Sequence, residues 1–258
     1  MSPSVIYHEV RNAKVRMMRA GAGEPLVFLH GAGGLSPWGP FLEDLSNHFD
    51  VIAPEHPGFG DSGDGAFIRN VADMAMYYLD FLDSLHAGAV HLVGTSLGGW
   101  IAAEIAVRNC SRVASVSLLA PAGLRVKGVP IGDNFIWGPE EGTRNLFFNQ
   151  AYADKLLAIE PSEEEADRQL TNRFMAARLG WEPRWFSPSL QKWLHRIQVP
   201  SLVLWGEEDR LFPVEYAKAW GDSIPAAQVQ IVPKAGHLMH IESAQDVAKR
   251  LLSFLAGR

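Results

Sequence analysis

Cysteine is nearly missing from this chain of 258 residues, and the lone Cys110 cannot close an internal disulfide. Nothing therefore calls for an oxidising compartment. Basic residues are in deficit, 23 against 29 acidic, for a net charge of -6 with no basic block. That balance weighs against nucleic acid as a partner. No apolar stretch reaches the roughly 20 residues a membrane-spanning helix needs. Met1 to Glu9 has no basic flank followed by an apolar run. No signal peptide and no membrane partner are expected, and the expected location is the cytoplasm. The nine histidines are scattered and no H-E-x-x-H occurs, so neither a metal nor a cofactor is expected. Gly31, Gly33 and Gly34 lack the G-x-G-x-x-G spacing of a nucleotide loop, and no Walker lysine follows them.

What is present is a full core: 47% of the residues are hydrophobic. The length suits one α/β domain with an insertion, or two small domains. Val5 to Val10 and Val15 to Arg19 read as an antiparallel pair. Leu26 to Leu29, Val51 to Ala53, Ala89 to Val93, Val113 to Leu119, Ser201 to Trp205 and Val229 to Val232 read as strands. Helical spacing of apolar residues appears near 41–48, 70–85, 99–107, 214–220 and 244–255. Alternating strands and helices predict a mainly parallel sheet covered on both faces. Pro121 to Val199 breaks the rhythm. It carries Trp137, Trp181, Trp185, Trp193 and several phenylalanines, and reads as a mostly helical insertion over the carboxyl edge of the sheet. Ser162 to Glu165 has the pattern of a helix-starting capping box.

Gly94-Thr95-Ser96-Leu97-Gly98 lies between an apolar strand and an Ala-rich helix. In that context G-x-S-x-G predicts a nucleophile elbow, with the Ser96 hydroxyl exposed on a strained turn. A serine hydroxyl needs a base. His237 follows the strand 229–232. His240, three residues on, reads as packing or solvent contact. A carboxylate should follow an earlier strand, and Glu207, Glu208 and Asp209 are the candidates. Asp209 is best placed, after the turn at Gly206. The order Ser, Asp, His is the one this elbow architecture uses. The oxyanion needs backbone N–H donors. Leu97 offers one at a helix start. The second is assigned to Ala32, with Gly33 as the alternative, in the small-residue loop 30–34. His30 reads as a brace for that loop, and Asp61 as stabilising its own turn.

His30-Gly31 after a strand, Pro57-Gly58-Phe59-Gly60-Asp61-Ser62, Gly94 to Gly99, Trp205 to Asp209 and Gly236-His237 occur in that order. Together they resemble the α/β-hydrolase fold superfamily, in its serine esterase, C–C hydrolase and haloperoxidase-like group. The resemblance implies an α/β-hydrolase fold with a mostly parallel central sheet flanked by helices. It implies Ser96, Asp209 and His237 as nucleophile, acid and base. It also implies a helical cap at 122–196 between core segments 1–121 and 197–258. Ser96 at the elbow disfavours the family's haloalkane dehalogenases and epoxide hydrolases, which carry Asp there. Gly33-Gly34, where its C–C hydrolases often have proline, weighs against that activity.

The expected function is hydrolysis of uncharged or partly apolar carboxylic esters through an acyl-enzyme, with a small-molecule ester as partner. The alternatives are a C–C bond hydrolase or perhydrolase using the same triad. From another class comes a small-molecule receptor that retains it. Trp137, Phe147, Trp181, Trp185 and Phe186 are the candidate substrate-binding residues of the insertion.

Overall fold

Runs of β-branched and leucine side chains with no polar alternation can be satisfied only where a strand is buried on both faces. The computed structural model, which describes residues 2–256, places such runs in the middle of one eight-stranded sheet. In chain order the elements begin with β1 (Ser4–Val10), β2 (Ala13–Ala20), β3 (Pro25–Leu29), α1 (Pro40–Ser46), β4 (Asp50–Pro54) and α2 (Val71–Ser84). Next come β5 (Val90–Thr95), α3 (Leu97–Arg108) and β6 (Val113–Leu119). An inserted stretch carries α4 (Pro139–Leu146), α5 (Gln150–Leu157), α6 (Glu163–Gly180) and a 3-10 turn, Gln191–Arg196. The chain finishes with β7 (Ser201–Gly206), α7 (Glu215–Ser223), β8 (Gln228–Val232), α8 (Met239–Glu242) and α9 (Ala244–Leu255).

The sheet order is β1-β2-β4-β3-β5-β6-β7-β8. β1 and β2 form a hairpin, and β2 runs antiparallel to β4. Every later pairing is parallel. The hairpin turns on Arg11 and Asn12, both at positive φ, the arrangement that matches the twist of the flanking strands. β5 and β7 are buried along their whole length. Among the helices, α2 packs on α3 and α1 on α9. This is the α/β-hydrolase fold.

Boundaries moved where local chemistry decided them. The helix expected from 41 to 48 starts on Pro40 and ends at Ser46. Proline suits that first turn because its missing N–H has no intrahelical partner there. The terminal helix starts at Ala244 as expected, and a short separate helix, α8, precedes it and carries His240. The capping box forms by half: Ser162 Oγ accepts from the Glu165 N–H at 3.2 Å, while the Glu165 carboxylate turns to Arg168 at 2.8 Å.

Glycine at position 98 lets α3 start hard against the end of β3. A β-carbon there would lie 2.0 Å from the Leu29 carbonyl oxygen and 2.5 Å from that of His30. Both are backbone atoms of a buried strand end and cannot swing away. Gly98→Ala is therefore expected to overpack this contact and lower Tm by roughly 2–10 °C. Gly88→Ala, whose β-carbon meets open space, should leave Tm unchanged. Equal melting of the two variants by calorimetry would contradict the contact.

Candidate active site

Ser96 follows β5 directly and has φ 53° and ψ -116°, a conformation few non-glycine residues adopt. The turn is held from outside. Ser96 N–H donates to Leu119 O at 2.9 Å, and Ser96 O accepts from Trp100 and Ala122 N–H, each at 3.1 Å. Gly94 is required because its β-carbon would lie 2.3 Å from Gly98 O. Strain of this kind, over-determined by its surroundings, is common at catalytic positions.

The loops after β7 and β8 close over one another. Glu207 N–H donates to Val232 O at 3.0 Å and Glu208 N–H to Ala235 O at 2.9 Å. This pairing leaves both glutamates at the surface and turns Asp209 inward. The Asp209 side chain is fully buried and its carboxylate is satisfied on both oxygens. Oδ1 accepts from Leu211 and Phe212 N–H at 2.8 and 2.9 Å, and Oδ2 accepts from His237 Nδ1 at 2.8 Å. A carboxylate acceptor places the imidazole proton on Nδ1, which leaves Nε2 of the neutral ring as an acceptor. That Nε2 has no hydrogen-bond partner among the described residues.

Ser96, His237 and the loop 30–34 line one cavity of about 430 Å³. A β-carbon on Gly31 would lie 3.4 Å from Ser96 Cβ, so the loop passes directly over the elbow. The loop is a β-turn closed by Gly34 N–H to Gly31 O at 3.1 Å. His30 braces it: Nδ1 donates to the same Gly31 oxygen at 2.7 Å, while Nε2 accepts from His56 N–H at 2.9 Å. His56 in turn donates from Nε2 to His30 O at 3.0 Å and accepts from the Tyr78 hydroxyl at Nδ1. Gly31 O and His30 O can only accept and His56 N–H can only donate, which fixes both ring tautomers, and the Tyr78 hydroxyl is then left to donate to His56 Nδ1. Ala32 and Gly33 are the central residues of the turn, and Leu97 N–H opens the first turn of α3, where no intrahelical acceptor exists.

The insertion contributes Asn134, Leu146, Phe147, Tyr152 and Leu156 to the cavity wall. Of the five aromatic residues expected to contact substrate, only Phe147 lines it, stacked on Tyr152 with ring centroids 6.0 Å apart. The other four pack the insertion against itself. Trp185 stacks on Phe135 at 5.0 Å and donates to Asn134 Oδ1 at 2.8 Å, so it stands behind the wall. Trp181 meets the edge of Phe135 and carries the Arg184 guanidinium at 4.3 Å. Trp137 covers Gly132, and Phe186 faces the Arg125 guanidinium at 5.5 Å. Among the described residues, no lysine or arginine lines the cavity.

Two residues that sequence reasoning missed fasten the insertion to the loops beside the cavity. Glu242 accepts from Phe148 and Asn149 N–H at 3.1 and 2.8 Å, and from Gly236 N–H beside His237. Asn172 on α6 spans Gly33 and Gly60 of the core. Asp61 also departs from expectation. Its carboxylate leaves its own turn to pair with Arg168 of α6 at 3.2 Å and Arg16 at 3.8 Å.

By sequence, residues 26–250 match the Alpha/beta hydrolase family. The chain belongs to that family, and it is a hydrolase. It is 31% identical over 263 residues to the dihydrolipoyllysine-residue acetyltransferase component of the acetoin cleaving system of Pseudomonas putida, covering 96% of this chain and 68% of that one. It is 29% identical over 253 residues to the 2-hydroxy-6-oxo-2,4-heptadienoate hydrolase of Pseudomonas putida, covering 92% of this chain and 91% of the relative. The carboxylesterase CesB of Bacillus subtilis superposes with a TM-score of 0.71 at 24% identity, over 100% of this chain and 93% of that one. That last likeness is one of fold.

Burial pushes the His30 imidazole down to about 4 and holds His56 well below the usual value of 6.5. His240, packed between Phe28 and Phe41 on the cavity wall, is pushed down to about 3 by burial and then by nearby His237. These rings are neutral in the fold, whereas the unfolded chain takes up their protons below about pH 6.5. Their contribution to stability is therefore complete above that pH. It is lost as pH falls toward about 4 for His30 and about 3 for His240. Tm should decline over this window. His240 Nδ1 has no partner to lose among the described residues, so His240→Leu should fold and show a shallower decline between pH 6.5 and 4. Parallel Tm curves for the two proteins would show that His240 is not held neutral.

Leu156 lines the cavity yet is 48% exposed, and Trp181 lies off the cavity at 52% exposed. Leu156→Ala should change the ratio of octanoate to butyrate p-nitrophenyl ester turnover with little change in Tm. Trp181→Ala should leave that ratio unaltered. A shift in the Trp181 variant alone would reverse the assignment of the wall.

Proposed function

We propose that the protein is a serine carboxylesterase acting on uncharged or partly apolar esters. The observation that carries this reading is the buried Asp209–His237 pair, which leaves an acceptor nitrogen at a cavity shared with Ser96 and the loop 30–34. In this reading Ser96 Oγ attacks the ester carbonyl carbon while His237 Nε2 takes the hydroxyl proton. The N–H groups of Leu97 and Ala32, or Gly33 in place of Ala32, receive the developing oxyanion. Asp209 holds the ring in the required tautomer and offsets the imidazolium charge. Collapse of the tetrahedral adduct expels the alcohol, which leaves with the proton from His237. Water then attacks the acyl-enzyme, giving a proton to His237, and the second adduct collapses to release the acid as Ser96 Oγ takes that proton back from His237.

The relative from Pseudomonas putida named for a heptadienoate supports a second reading, C–C bond hydrolysis with the same three residues. A dienoate substrate carries a carboxylate. Among the described residues, a largely apolar cavity lined by no lysine or arginine offers that group no cationic partner, which favours the neutral ester.

Ser96→Ala should keep the wild-type melting curve and lose covalent labelling by a fluorophosphonate. Asp209→Asn should lower kcat by about 10⁴-fold, by analogy with the serine protease triad. Glu208→Gln should change it little. The two readings separate on kcat/KM for p-nitrophenyl butyrate against a 2-hydroxy-6-oxo-dienoate. A clear preference for the dienoate would replace esterase by C–C hydrolase, and labelling that survives in Ser96→Ala would remove both.

A further inference from the structure

Asn172 is a polar residue on the inward stripe of α6. Met175, Ala176 and Leu179, which complete that stripe, are buried and apolar. Asparagine is a poor helix former and costs free energy when buried without partners. Here both halves of its carboxamide are used, on backbone groups of two different core loops. Nδ2 donates to Gly33 O at 3.0 Å, and Oδ1 accepts from Gly60 N–H at 2.8 Å. Gly60 N–H can only donate and Gly33 O can only accept, so the orientation of the amide is fixed. The approach is close enough that a β-carbon on Gly34 would lie 2.2 Å from Asn172 Nδ2.

The peptide unit between Gly33 and Gly34 is flanked by two glycines, with Gly34 at φ 95°. A Gly-Gly peptide has little steric resistance to rotating about its neighbours. Its N–H is held by Gly31 O from within the loop. Among the described residues its carbonyl is held only by Asn172, from outside the loop and from the insertion. Rotation of this unit would break the turn that aims the Ala32 and Gly33 N–H groups.

We propose that Asn172 is a positioning residue that locks the Gly33–Gly34 peptide and thereby makes the oxyanion site depend on the seating of helix α6. The proposal rests on the serine hydrolase reading, with Ala32 or Gly33 as an oxyanion donor. It assigns Asn172 no contact with substrate. Its effect is confined to steps that develop charge on the oxyanion.

Asn172→Asp separates the two bonds. The carboxylate still accepts from Gly60 N–H but cannot donate to Gly33 O. Asn172→Ala removes both and serves if the Asp variant does not fold. Arg168→Ala is the control. It cuts the Asp61 link between the same helix and the core and leaves the loop untouched. Two readouts are needed. One is steady-state hydrolysis of p-nitrophenyl butyrate. The other is the second-order rate of Ser96 phosphonylation by a fluorophosphonate, whose phosphoryl oxygen occupies the oxyanion site whatever the natural substrate.

Asn172→Asp should lower both kcat and the labelling rate by about tenfold to a hundredfold. That is less than the 10²–10³ expected for removing an oxyanion donor outright. KM should stay within about twofold, because uniform binding is untouched. Arg168→Ala should change neither rate by more than about twofold at a similar Tm. If both Asn172 variants label as fast as Arg168→Ala, or if Arg168→Ala loses as much rate as they do at a similar Tm, the role is structural and the proposal fails. Wild-type protein that labels at Ser96 but does not hydrolyse esters would overturn the esterase reading alone, since the labelling comparison still decides Asn172.

Discussion

The approach of α3 to the end of β3 is the constraint on which the remaining geometry hangs. With no side chain at Gly98, the first turn of the helix reaches the carbonyl oxygens of Leu29 and His30. That contact sets where Ser96 projects and also where the chain leaves β3 to form the loop 30–34. Ser96 and the nearby turn are thus two ends of one packing contact. The positive φ of Ser96 is tolerated because Leu119, Trp100 and Ala122 all hold its backbone.

Much of the core was legible because its determinants are local. The elbow, the glutamate–aspartate run after β7 and the Gly236-His237 step each sit next to a strand that apolar composition reveals. The paired closing loops after β7 and β8 explain why Asp209, and not Glu207 or Glu208, points inward. His30 braces its loop as its position suggested, although the relay through His56 to Tyr78 joins residues far apart in the chain. The insertion was legible as helical and aromatic, but not in which rings face the cavity. Trp181, Trp185 and Phe135 satisfy one another, and nothing in their spacing distinguishes a ring that packs from a ring that lines.

Asn172 and Glu242 were invisible for a related reason. The partners of Glu242 in the insertion are 93 and 94 residues away, and Gly33 lies 139 residues from Asn172. Asn172 did leave a trace, as an asparagine interrupting an apolar helical stripe. Glu242 left less, since an acid near a helix start is common for electrostatic reasons alone. Asp61 shows the converse: a turn residue whose side chain is recruited by a distant helix.

The two fastenings have a consequence for how such proteins diversify. A helical insertion between β6 and β7 looks like a module that could be traded between relatives to change selectivity. In this chain it is not detachable in that sense. Its backbone at 148–149 shares a carboxylate with Gly236, and its helix α6 supplies the hydrogen bond to Gly33 O. A transplanted insertion must bring a carboxamide and two correctly placed N–H groups with it. Without them, the graft alters core loops that it does not itself contain, and under the proposed mechanism a change meant for selectivity is also a change in rate.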